Sequence, residues 1–136
     1  VADTAQELFG FTAGPRLSLH VTDGLDFLAQ VAHSNTPPSE REGVYDLLLV
    51  DVASYNAPQD NDKGILVPPP DFCSQDFLES DGLVKSVLKP TGILGINVVG
   101  GDLAIHHLTM RMAEHFKHVA WLHHGPSFSI LFASDE

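Results

Sequence analysis

Tyr45-Asp46-Leu47-Leu48-Leu49-Val50-Asp51 sets four consecutive apolar residues between two carboxylates. A short continuous apolar run ending in a polar residue is the pattern of a parallel strand covered by helices on both faces. Ile93-Leu94-Gly95-Ile96-Asn97-Val98-Val99 is a second run of this kind. Between them lies a long acidic loop, Ala53 to Pro70, that ends in three prolines. A helix is then predicted from about Ser74, a capping residue, to Leu88, closed by Pro90-Thr91-Gly92.

Upstream, Arg16-Leu17-Ser18-Leu19-His20-Val21 alternates with period two, as a half-buried strand does. Asp23 to Ala32 follows with Leu25, Leu28 and Ala32 at helical spacing, and His33 to Gly43 reads as a polar surface loop. Val1 to Leu8 is helix-compatible and is stopped by Phe9-Gly10-Phe11 and Gly14-Pro15. Downstream, Asp102 to Lys117 places Ile105, Leu108, Met112 and Phe116 on one helix face. Val119 to Leu122 and Ser127 to Ala133, around Gly125-Pro126, form a predicted antiparallel pair. Strands are thus expected near 16–21, 45–51, 92–99, 118–123 and 127–133. The fold class is α/β: a Rossmann-like sheet, mostly parallel, with an antiparallel C-terminal hairpin.

The chain has 136 residues, room for one domain. No apolar run approaches the roughly 20 residues of a membrane helix, and Val1-Ala2-Asp3-Thr4 carries no secretory signal, so the expected setting is cytoplasmic, with no membrane partner. A single cysteine, Cys73, excludes an internal disulfide and a cysteine-rich zinc site. Eighteen acidic against seven basic residues give a net charge of −11. That argues against a nucleic-acid partner, which needs a basic surface, and favours a basic protein or an amine. Solubility alone is the competing explanation of the charge. Of the eight histidines, His106, His107, His115 and His118 lie on or near one helix, with His123 and His124 beyond. None forms an HExxH pair, so they read as surface histidines and no metal is expected.

In open α/β sheets ligands bind beyond the carboxyl ends of the strands. Asp23 follows the strand expected at 16–21, and Asp51 ends the strand at 45–50. Asp23 can accept a hydrogen bond from an exocyclic amino group, with Gly24 admitting a flat ligand, or it can cap the helix that follows. Asp51, costly to bury after an apolar strand, either serves a ligand or forms an Asx-type turn.

Leu8-Phe9-Gly10-Phe11, Leu19 to Leu28 (LHVTDGLDFL) and Tyr45 to Asp51 together resemble the spermidine synthases and their class I S-adenosylmethionine (SAM)-dependent methyltransferase relatives. Pro68-Pro69-Pro70-Asp71-Phe72 with Leu88-Lys89-Pro90-Thr91-Gly92-Ile93-Leu94 narrows the resemblance to protein methyltransferases that act on elongation factor 1-alpha. The resemblance runs from Val1 to Phe132. It implies that Asp23 and Gly24 hold the adenine of SAM. It also implies that Asp51 lies beside the sulfonium and orients the amine that accepts the methyl group, and that the loop from Ala53 to Pro70 covers the site.

Such domains open with a strand, a Gly-rich turn, a helix and a second strand ending in an acid. No GxGxG occurs in this sequence. The 136 residues are therefore expected to be the C-terminal part of the domain, lacking the first two strands, and to bind SAM weakly or not at all. The expected reaction is methylation of a lysine or an N-terminal α-amine of a protein or peptide. Polyamine aminopropyl transfer is the alternative; it is disfavoured because no acid follows Asp51 until Asp60. A non-catalytic dimerisation or protein-binding relative is a third reading, and homo-oligomerisation stays open.

Overall fold

A computed structural model describes residues 4, 7, 8, 10, 12–33, 43–53, 65–79, 81–123, 125 and 128–136. Helix α1 spans Gly24–His33 and strand β1 spans Tyr45–Val50. A short strand, β2, at Ile65–Val67 leads into a 3-10 turn at Pro70–Cys73 and two short helices, α2 (Gln75–Leu78) and α3 (Leu83–Val87). Strand β3 (Leu88–Gly100), helix α4 (Asp102–His115), and strands β4 (His118–His123) and β5 (Phe128–Ser134) complete the chain.

The sheet has the order β1-β3-β5-β4, with β2 on the end of β3. β1 and β3 run parallel, with Leu47 beside Ile93 and Val50 beside Ile96. The other three pairings, β2 with β3, β3 with β5 and β4 with β5, are antiparallel. The α/β class and the closing hairpin match the expectation from sequence, but the described sheet is not mostly parallel, since only β1 with β3 runs parallel. Leu94, Ile96 and Val98 of β3, with Leu131 and Ala133 of β5, point to one face. There they join Leu28, Phe77, Leu78, Val84, Ile105, Leu108 and Met112 in a single core. The four described helices α1 to α4 thus contribute to one core on one side of the sheet.

Three further expectations need correcting. The strand predicted at 16–21 does not form. Gly14 and Leu17 instead exchange backbone hydrogen bonds of 2.8 and 3.0 Å across a tight turn, and Leu17, Leu19 and Val21 are exposed. Alternation supplies an apolar face, but a strand also needs a neighbouring backbone to bond to. Among the described residues no strand lies beside this segment. Second, β1 is not covered on both faces: Leu47 and Leu49 are 51% and 63% exposed, whereas Val50 is 3% exposed. Third, the helix predicted over 74–88 is two short helices interrupted before Gly82. Ser74 does cap the first, accepting from the Phe77 amide at 3.2 Å. β3 then begins at Leu88, not at residue 92. The strand absorbs Pro90 at a register shift opposite Tyr45 to Leu47, where a missing amide donor is tolerated.

The acidic loop is described only at residues 53 and 65–70, where β2 is an unpredicted strand. Its centre, with Asn56 and Asp60, and most of the helix expected at 1–8 lie outside the described residues. No described helix is long and apolar enough to cross a membrane.

Candidate functional site

Asp23 sits immediately before α1. Its Oδ1 accepts from the Leu25 amide at 2.9 Å and the Asp26 amide at 3.2 Å, so it caps the helix. Asp51 follows β1 and is exposed. Its Oδ1 accepts from the Asn97 side-chain amide of β3 at 2.8 Å. The parallel register explains this pair: Val50 lies beside Ile96, so the next residues on the two strands meet. The bond runs to a neighbouring strand and not to Asp51's own backbone, so Asp51 is not a local turn former. Nor does a desolvation penalty apply to a carboxylate in water. Among the described residues, no hydrogen bond occupies Oδ2 of either aspartate.

A cleft of about 310 Å³ lies between α1 and β1. It is walled by Phe27 and Leu28 of α1, Tyr45 and Leu47 to Val50 of β1, and Phe72, and it is also lined by Gly24 and Val52. Gly24 and Val52 are the immediate chain neighbours of Asp23 and Asp51, which do not line the cleft themselves. That size is near the lower end of the ~300–1,000 Å³ typical of small-molecule sites. A Cβ on Gly24 would touch the Phe72 ring at 3.6 Å, an ordinary contact. The protein itself therefore does not require glycine there, and a demand for it would come from a ligand in the cleft.

Asn97 and the aromatic wall were missed in the sequence. One signal was available: an amide inside the otherwise apolar strand Ile93 to Val99. The Phe72 wall depends on the turn after the prolines and had no local signature. Cys73 is buried, and burial pushes its thiol up to about 11 against the opposing pull of the Arg111 charge. A thiol so protonated is a packing group and not a nucleophile. Among the described residues no three His, Cys, Asp or Glu side chains gather into a metal-ligand set.

No family model matches the chain. The eEF1A lysine and N-terminal methyltransferases of Homo sapiens and Bos taurus are each 36% identical to it over 103 residues, 76% of the chain. The protein of the same name from Danio rerio is 36% identical over 105 residues. The chain spans only 13% of the length of these relatives. The crystal structure of human methyltransferase-like protein 13 in complex with SAH superposes with a TM-score of 0.79 at 30% identity. That match covers 99% of this chain and 56% of the other. By sequence and by fold, the chain is a homologue of the eEF1A lysine and N-terminal methyltransferases over part of their length.

Proposed function

We propose that the protein carrying this chain transfers a methyl group from SAM to a lysine or N-terminal amine of a protein. The observation that carries this reading is one apolar cleft lined by the chain neighbours of Asp23 and Asp51, each of which keeps an oxygen without a hydrogen bond among the described residues. The residues fit a nucleoside. Phe27, Leu28 and Phe72 offer apolar walls for adenine, and Oδ2 of Asp23 can accept from its exocyclic amino group. When bound, SAM supplies a methyl group on a sulfonium, open to in-line displacement.

What the chain must contribute is position and a neutral amine. Asp51 Oδ2 can accept a hydrogen bond from the incoming amine and take up its proton as the new N–C bond forms. The negative charge of the chain draws cationic amines toward the site, but it also favours their protonated form. Asp51 therefore has to act as an acceptor at the moment of transfer, and its exposure at the strand end leaves it accessible for that role.

The test is a titration of the full-length protein with SAH, followed by transfer of radiolabelled methyl from SAM to protein amines. We expect saturable SAH binding and label on lysine or an α-amine. A protein that binds SAH yet passes no label to any amine would limit this site to nucleoside binding. Label transferred from decarboxylated SAM to a diamine would point to aminopropyl transfer instead.

A further inference from the structure

A second groove, of about 570 Å³, runs between α4 and the turn at Pro70–Cys73. Its floor and lips are apolar, formed by Ile65, Pro70 and Leu108, with Leu103 69% exposed at the edge. One end carries Arg111 and, one helical turn before it, His107. Arg111 donates through Nη1 to the Cys73 carbonyl at 2.6 Å, which anchors the guanidinium in the groove. A guanidinium has five N–H donors, and among the described residues no other bond and no ion pair engages Arg111. Lys85 and Lys89, by contrast, are spent on Asp135 and Asp46. In a chain of net charge −11, an arginine without an ion pair among the described residues, held at the end of an apolar groove, offers a positive contact to an acidic group.

The groove opens at the end of the sheet where Asp51 stands. Asp51 is level with Asn97, and the groove begins at Gly101, four residues further along the chain. At about 3.3 Å per residue that is roughly 13 Å. Arg111 lies nine residues along α4 from Asp102, about 14 Å at 1.5 Å per residue. We infer that this groove binds the polypeptide that presents the methyl-accepting amine, and that Arg111 pairs with an Asp or Glu side chain of that polypeptide. The inference rests on the methyl-transfer reading for the identity of the occupant. An extended chain covers about 3.3–3.6 Å per residue, so a path following both segments, about 27 Å, places the acidic residue within about eight positions of the accepting amine. Asp102, at the other end of the groove, disfavours a bare polyanion and tolerates a peptide with amide donors or a basic residue there.

The probe is a set of fluorescein-labelled, lysine-containing alanine/glycine peptides. One glutamate is moved through positions one to nine residues from the lysine, and each peptide has a glutamine twin. Binding to the full-length protein is read by fluorescence anisotropy, and methylation of the same peptides is read separately. At one or two spacings the glutamate peptide should bind about tenfold tighter than its twin. Arg111→Gln should bring that ratio near one, and Arg111→Lys should restore part of it. Rescue by lysine separates charge recognition from loss of the Cys73 anchor, and a thermal melt confirms that both variants fold. Equal binding of the twins at every spacing, or discrimination that survives in Arg111→Gln, overturns the inference. Discrimination without methylation of any peptide leaves the groove intact and refutes the methyl-transfer reading. Methylation without discrimination does the reverse.

Discussion

Replacing Asp51 by asparagine separates its structural from its chemical role. The substitution is nearly isosteric, and the carbonyl oxygen of the new amide can still accept from Asn97, which now donates to Asp51 at 2.8 Å. The contact loses its charge assistance, and the difference between a charged and a neutral hydrogen bond is about 0.5–1.5 kcal/mol. Exposure of Asp51 to water puts the loss at the low end of that range. Removing one negative charge from a chain of −11 also relieves some self-repulsion. The net change in stability should therefore stay within about 1 kcal/mol. Chemistry is affected differently. An amide cannot take up the amine's proton, and loss of a general base costs about 10²-fold or more, which is about 2.7 kcal/mol in the barrier. Thermal denaturation of wild type and Asp51→Asn, beside single-turnover methyl transfer under saturating SAM, measures both quantities on the same samples. A mutant that turns over within threefold of wild type would remove Asp51 from the chemistry. A mutant that loses several kcal/mol of stability would mean that the Asn97 contact holds β1 to β3 far more strongly than one exposed bond can.

Asp23→Asn should keep the cap on α1, because asparagine caps about as well as aspartate, yet weaken SAH binding several-fold in calorimetric titration; unchanged affinity would place the adenine elsewhere. Ser74→Ala removes the bond to the Phe77 amide and should cost about 1 kcal/mol in denaturant unfolding, with no effect on SAH affinity. Burial of Asp135 pulls its carboxyl upward, but the Lys85 hydrogen bond and charge, with help from Lys117, outweigh it and hold the group below its ordinary value of 3.8. The contribution of this depressed acid is present above about pH 4 and is lost as pH falls through its lower folded value. Wild type should therefore lose stability on acidification below pH 4 more steeply than Asp135→Asn, as followed by thermal melts at each pH.

Much of the fold was legible because its strands announce themselves. The runs 45–50 and 93–99 carry enough apolar residues to be strands in any setting, and α4 shows its buried stripe at Ile105, Leu108 and Met112 directly in the sequence. The segment 16–21 shows the limit of that logic. Its alternation is as clear as that of many strands, but the hydrogen bonds of a strand belong to two segments, and pattern in one cannot supply the other. The helix over 74–88 failed for a different reason. Its apolar spacing continues across Glu79 to Gly82, while the backbone turns there and Gly82 donates to the Glu79 carbonyl at 2.9 Å. β2 was hidden because three residues are too few to carry a period.

The site was half legible for a related reason. Aspartates at the ends of strands or the starts of helices stand out in one dimension, but what they bond to depends on register, so Asn97 could be assigned only once Val50 lay beside Ile96. The sequence set two readings of Asp23 against each other, helix cap or ligand contact, and two of Asp51. A carboxylate has two oxygens, and the structure spends one of each. Oδ1 of Asp23 is fixed by the Leu25 and Asp26 amides, and Oδ1 of Asp51 is fixed by Asn97. The structural bond does not compete with the chemical role. It restricts the rotation of the carboxylate and so presents Oδ2 in a defined direction, which is the preorganisation that binding and proton transfer require.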